Sequence, residues 1–203
     1  TRGNVTKATD PIGNVTQFTY DSSDNLTSIM DASGNITALA YDERNNLRQI
    51  TDANRGVTTL AYSPTGELTS LTDANGHTTI FSYDAFGNLL TEISPANRAH
   101  SYEYDSVGRV TAHTDPNGSR ITYSYDSLDR LTQALYPDGS SKRFTYDCCS
   151  LSAVTDSSGT LLFTYAADNS LTRFTDVYGN IISYEYDKGK NLTVLMYPDG
   201  KVV

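Results

Sequence analysis

A tyrosine that returns every 21 residues constrains this chain more than any other feature. Tyr20, Tyr41, Tyr62, Tyr83, Tyr104, Tyr125 and Tyr146 keep that step, Tyr165 follows after 19 residues, and Tyr186 comes after 21 again. A fixed period of this length marks a repeat architecture, in which one supersecondary unit recurs and buries its apolar side against its neighbours. Other positions hold the same register. Two residues before each tyrosine stands a large apolar side chain: Phe18, Leu39, Leu60, Phe81, Tyr102, Tyr123, Phe144, Phe163 and Tyr184. Six residues after it comes an aliphatic residue, as at Leu26, Leu47, Leu68, Leu89, Val110, Leu131, Leu171 and Leu192. Fourteen residues after it, glycine is frequent: Gly34, Gly76, Gly118, Gly139, Gly179 and Gly200. Seven of the nine tyrosines are followed by Asp, and five of the six prolines share one position, so turn residues are phased as strictly as apolar ones.

Each repeat has the pattern of two strands and two turns. One strand resembles Leu26-Thr27-Ser28-Ile29-Met30, followed by the turn Asp31-Ala32-Ser33-Gly34. The second resembles Ile36-Thr37-Ala38-Leu39-Ala40-Tyr41 and ends in the turn Asp42-Glu43-Arg44-Asn45. Aspartate accepts hydrogen bonds from backbone N–H groups two residues on, and glycine adopts positive φ without a Cβ clash. Leu39 and Tyr41 are two apart and point to one face, while the residue between them is usually small or polar. The expectation is an aromatic and aliphatic face backed by a wet one. The repeat ending at Tyr165 lacks one residue before Leu151 and another between Gly159 and Phe163. Both losses fall near turns, where they leave the facing of later side chains intact. The chain is expected to be a single all-β array over residues 1–203, about nine and a half repeats that begin and end mid-repeat as an excerpt of a longer array.

Composition supports this and excludes other classes. The chain holds 15 Tyr and 14 Gly, and it is rich in residues that favour strands and tight turns. The net charge of −9, with basic residues scattered, argues against nucleic acid as a partner. No apolar run approaches the length of a membrane span. The adjacent Cys148 and Cys149 are badly placed for a relaxed disulfide and too few for a zinc site.

The phrases Tyr20-Asp21-x-x-x-Asn25-Leu26-Thr27, Asp31-x-x-Gly34-Asn35-Ile36-Thr37 and Tyr83-Asp84-Ala85-Phe86-Gly87-Asn88-Leu89 resemble the YD repeat. That repeat occurs in bacterial Rhs proteins, wall-associated polymorphic toxins, shell components of insecticidal toxin complexes, and animal teneurins. The resemblance covers essentially the whole chain. It implies a curved, spiralling antiparallel sheet of hairpins forming a hollow shell, which in bacterial members encloses a toxic domain and in teneurins belongs to an adhesion ectodomain. It also implies a secreted or cell-surface protein, most readily bacterial, whose partners are flanking repeats or an encapsulated domain. The self-cleaving aspartyl region of cargo-bearing members is not visible; Asp115-Pro116-Asn117-Gly118-Ser119 sits in an ordinary turn and lacks its leucine.

No catalytic, cofactor-binding or metal-binding residue is assigned from the sequence. His77, His100 and His113 form no triad or HExxH pattern and are expected to be solvated strand or turn residues. The recurring Asp21, Asp42, Asp84, Asp105, Asp126 and Asp147 either cap their own turns or stack as a calcium-binding row, with turn capping the simpler reading. The rows built on Tyr20, Tyr41, Tyr62, Tyr83, Tyr104, Tyr125, Tyr146, Tyr165 and Tyr186, with Phe18, Phe81, Phe144 and Phe163, are read as packing anchors rather than a carbohydrate platform. The glycines 34, 76, 118, 139 and 179 complete the set of structural anchors. The favoured function is therefore non-enzymatic shell wall. The alternatives are an adhesion module that binds carbohydrate or a partner, and a fibre that self-associates through unpaired edge strands.

Overall fold

The computed structural model describes residues 3–203, which are all-β: among them are nineteen strands and no helix. The chain divides into two compact units with a boundary between Ser101 and Tyr102. In the first, the strands are β1 (Lys7–Thr9), β2 (Val15–Tyr20), β3 (Leu26–Met30), β4 (Ile36–Tyr41), β5 (Leu47–Thr51), β6 (Val57–Tyr62), β7 (Leu68–Thr72), β8 (Thr78–Tyr83) and β9 (Leu89–Ile93). Strand β10 (Ala99–Tyr104) begins there. In the second they are β11 (Val110–Thr114), β12 (Arg120–Tyr125), β13 (Leu131–Leu135), β14 (Ser141–Tyr146), β15 (Leu151–Asp156), β16 (Gly159–Tyr165), β17 (Leu171–Thr175), β18 (Ile181–Tyr186) and β19 (Leu192–Met196). Within each unit every strand pairs antiparallel with the strands next to it in sequence, a continuous meander.

The turns follow one design. Gly34 N–H donates to the Asp31 carbonyl (3.0 Å), and Asp31 N–H donates to the Asn35 carbonyl (3.0 Å). This is a tight turn closed by one residue in the left-handed region, a common three-residue hairpin loop. Gly34 holds that position with φ 83°. A Cβ built there meets nothing within 4 Å, so the demand for glycine is conformational, not steric crowding. The Asp-turns use the same geometry with Asp24, Asn45 or Gly87 in the left-handed place.

One element was hidden in the sequence. In eight of the repeats the second strand meets the following strand across a β-bulge. In the first unit Tyr20 faces Leu26 but Thr19 faces Ser28, so Thr27 is an extra residue; the same shift recurs between Ala40 and Tyr41, Ala61 and Tyr62, and Ser82 and Tyr83. The second unit repeats it between Ser124 and Tyr125, Thr145 and Tyr146, Thr164 and Tyr165, and Glu185 and Tyr186. The extra residue brings Leu26 and Ile29, three apart, onto the face of Phe18 and Tyr20.

The two residues missing from the irregular repeat are lost at its two turns. Asp147 N–H closes on the Ser150 carbonyl (3.1 Å), one residue early, and Asp156 pairs with Gly159 across only Ser157 and Ser158. Strands β14, β15 and β16 keep their facing.

Burial is shallow. Among the described residues only Ala112 and Ala134 are buried, at 1% and 5% exposure, and all nine repeat tyrosines are half-buried. The expected wet face needs correction. Ile36, Val57, Ile80, Leu135, Leu162 and Met196 lie on it, at positions that alternate with the aromatic row, and all are exposed. Ile36 lies opposite Met30 and Ile80 opposite Ile93, while Val57 and Leu135 lie opposite Thr51 and Thr122, so this face is mixed, with small apolar pairs among Thr and Ser.

Candidate functional site

The surface with the most regular chemistry is the aromatic face. Its rows arise because Phe18 pairs with Ile29 and Tyr20 with Leu26, and each later repeat sets equivalent pairs beside them. In the second unit Phe163 and Phe174 meet with ring centroids 5.4 Å apart and planes at 45°. Cross-strand pairs of this kind contribute roughly 0.2–1 kcal/mol each.

The tyrosine hydroxyl explains why this position is Tyr and not Phe. Tyr20 donates to the Val5 carbonyl (3.0 Å), Tyr41 to Leu26 (3.0 Å), Tyr62 to Leu47 (2.9 Å), Tyr125 to Val110 (2.8 Å) and Tyr146 to Leu131 (3.0 Å). Each bond reaches back 15 residues, into the preceding repeat, and lands on the residue beside its bulge. A second hydroxyl serves the other strand of that bulge. Thr69 donates to the Ala61 carbonyl (3.2 Å), Thr132 to Ser124 (3.0 Å), Thr172 to Thr164 (3.0 Å), Thr193 to Glu185 (3.1 Å), and Ser152 to Thr145 (3.1 Å). A bulge interrupts the ladder and leaves backbone groups short of partners. Two side-chain hydroxyls, one local and one from the next repeat, supply them. The recurrent Thr of the Leu-Thr pair was not singled out from sequence; its fixed position, seven residues after Tyr, was the available signal.

The Asp-turn edge carries further links between repeats. Asn25 donates to Asn45 Oδ1 (2.8 Å), and Arg109 donates to Asp129 Oδ1 (2.6 Å). Arg109 lies 4.9 Å over the Tyr125 ring and Arg130 lies 4.5 Å over Tyr146. Each guanidinium also pairs with the aspartate of its own turn, at 2.6 Å to Asp105 and 2.7 Å to Asp126.

The aspartates are engaged by their own turns. Asp21 Oδ1 accepts from the backbone N–H of Ser23 (2.8 Å) and Asn25 (2.9 Å), and Oδ2 accepts from the Asn25 amide (3.0 Å). Asp10, Asp31, Asp84, Asp176 and Asp187 repeat this. Among the described residues no three His, Cys, Asp or Glu side chains come together to hold a metal ion. The side-chain amide of the following Asn, with the backbone N–H groups, holds these six carboxyls below the usual carboxylate range. A depressed folded-state pKa adds stability that is present above the unfolded value of about 3.9 and is lost as pH falls through the folded value. The melting temperature is therefore expected to fall below about pH 4; protonation relieves the repulsion of the net charge of −9 only down to the isoelectric point of about 4.6, below which the chain is net positive and repulsion grows again. Thermal melts followed by circular dichroism from about pH 6 to pH 2.5, at high and low salt, test this; a midpoint that stays level or rises between about pH 4 and pH 2.5 means that the Asp-turn bonds contribute no net stability.

The histidines fall in separate places. His77 is exposed, with Nδ1 3.1 Å from Asp73 Oδ2. His100 is a half-buried member of β10. His113 departs from the solvated role expected of it: it is half-buried on the aromatic face and stacks on Tyr102, with centroids 4.9 Å apart and planes at 21°. Cys148 and Cys149 are exposed free thiols in the shortened turn.

Residues 2–152 match the family model described as Teneurin YD-shell. No curated protein matches the chain. Among solved structures, the TcdB2-TccC3 crystal structure without its hypervariable C-terminal region aligns with 90% of this chain at 20% identity and a TM-score of 0.63. The TcdB2-TccC3-Cdc42 crystal structure aligns with 90% at 20% identity and 0.62, and the Photorhabdus luminescens Tc holotoxin pore with 91% at 18% and 0.59. These alignments cover only 12–13% of the solved chains, and at such identities the likeness is one of fold.

Proposed function

Since the chain belongs to the teneurin YD-shell family, we propose that it is a length of shell wall, with a mechanical and non-enzymatic role, and that the wall encloses or displays another domain of its parent protein. One observation carries this reading: the repeat side chains that hold chemistry are directed at the chain's own backbone. Tyr and Thr hydroxyls cap carbonyls at the bulges, and Asp and Asn close the turns. A surface built for recognition would leave such groups pointing outward. The partners in this reading are flanking repeats and an enclosed toxin-like domain. In this reading the location is outside the cell, as the shell family implies; among the described residues no helix is long and apolar enough to cross a membrane.

Electron cryo-microscopy of the native particle that contains this chain tests the proposal. The expected result is a wall of hairpins around a cavity that holds density for another domain. A solid filament made by strand pairing between chains, or aromatic rows open to solvent that take up glycan in a titration, would overturn it.

A further inference from the structure

The shortened turn at Asp147-Cys148-Cys149-Ser150 is unlike the other Asp-turns. Those close over five residues with one in the left-handed region, as at Asp126 to Arg130 with Asp129 at φ 61°. Here Asp147 N–H meets the Ser150 carbonyl directly, and no residue from 148 to 150 has positive φ. The deletion places two exposed thiols at the two central positions of a four-residue turn. The turn is tied down on both sides. Asp147 Oδ1 accepts from the N–H of Cys149 (3.2 Å) and Ser150 (2.8 Å). Arg130 of the preceding repeat donates to the carbonyls of Asp147 (3.3 Å) and Cys148 (3.5 Å), and Ser150 Oγ donates to Asn169 Oδ1 of the next (2.9 Å).

From this arrangement we infer that Cys148 and Cys149 form a two-coordinate site for a soft monovalent metal ion of the Cu(I) class. Three alternatives fit less well. A disulfide between the two is opposed by geometry: adjacent Cα atoms across a trans peptide stand about 3.8 Å apart, under the roughly 4.4 Å at which relaxed disulfides begin, and the peptide bonds of the described residues are all trans. Zinc requires four ligands, and the nearest carboxylate, Asp147, is already engaged by its own turn. Hard cations prefer oxygen donors and avoid thiolate. A soft monovalent ion needs only two thiolates, and a bridging ion spans a sulfur–sulfur separation longer than a covalent bond. Binding releases both thiol protons and forms two metal–sulfur bonds, leaving a centre with one net negative charge. The Arg130 guanidinium at the turn's carbonyls offsets part of that charge.

The site is tested by titrating the reduced chain, under anaerobic conditions, with the coloured Cu(I)–ferrozine complex. The expected result is removal of one Cu(I) per chain, with X-ray absorption reporting two sulfur neighbours. Cys148→Ser and Cys149→Ser should each lose this uptake while keeping the wild-type circular dichroism spectrum, since both side chains are exposed. Absence of uptake, uptake kept by either variant, or half an equivalent with chains joined in pairs would overturn the proposal.

Discussion

Replacing Tyr146 by alanine is expected to destabilise the second unit by about 2–3 kcal/mol, and replacing it by phenylalanine by about 1 kcal/mol. The ring packs beside Leu151 across the strand pair and beneath the Arg130 guanidinium at 4.5 Å. Truncating a fully buried aromatic costs about 3–5 kcal/mol, and this one is only half-buried, so the expected cost falls at or below the bottom of that range. The phenylalanine variant keeps the ring and loses only the hydroxyl bond to Leu131 (3.0 Å), leaving a carbonyl beside the bulge without that partner. Urea denaturation of the two variants and the wild type separates the contributions. If alanine and phenylalanine have the same midpoint, the ring contributes nothing and the hydroxyl carries the whole role. If neither differs from wild type, the tyrosine row is not an anchor.

Deleting Ser124 is expected to abolish cooperative folding of the second unit, whereas deleting Thr132, directly across the same strand pair, is expected to cost only about 1–2 kcal/mol. Removing Ser124 leaves Tyr123 and Tyr125 adjacent, so one of them and every earlier residue of β12 must turn to the opposite face. Thr132 is the extra residue of its bulge. Without it Tyr125 still faces Leu131, Ser124 still faces Gln133 and Tyr123 still faces Ala134, now in a regular ladder. What is lost is the hydroxyl bond from Thr132 to the Ser124 carbonyl (3.0 Å) and the local twist that a bulge adds. Circular dichroism and resistance to thermolysin report the difference. Equal damage from both deletions would mean that the bulge, and not the facing of side chains, sets the register.

Much of this architecture is legible in the sequence because it is written once per 21 residues. The rows through Phe18, Tyr20 and Leu26, the left-handed turn at Gly34 and the lost residues around Cys148 and Gly159 all follow from the phase of the repeat. The bulge does not follow from it. A strict two-residue period through Leu26-Thr27-Ser28-Ile29-Met30 places Leu26 with Ser28, while the structure places it with Ile29. A single inserted residue changes facing without changing composition or period, so nothing in the alternation announces it. The role of the tyrosine hydroxyl was hidden for the same reason: its acceptor exists only because the bulge interrupts the ladder. His113 was misjudged because it occupies a position that is aliphatic in other repeats, such as Ile29 and Ile50, and a half-buried imidazole beside Tyr102 takes over that packing role.

Within each unit, a strand has no partners other than the strands that precede and follow it in the chain. No crossing connection has to wait for a distant segment to arrive. Such a polypeptide can acquire its structure in the order in which it is synthesised or emerges from a translocation pore, each hairpin using the last one as its template. The reverse also holds: pulled from one terminus, it should peel one strand at a time, so that the force needed to thread it through a narrow channel depends on a single strand pair and not on the length of the array.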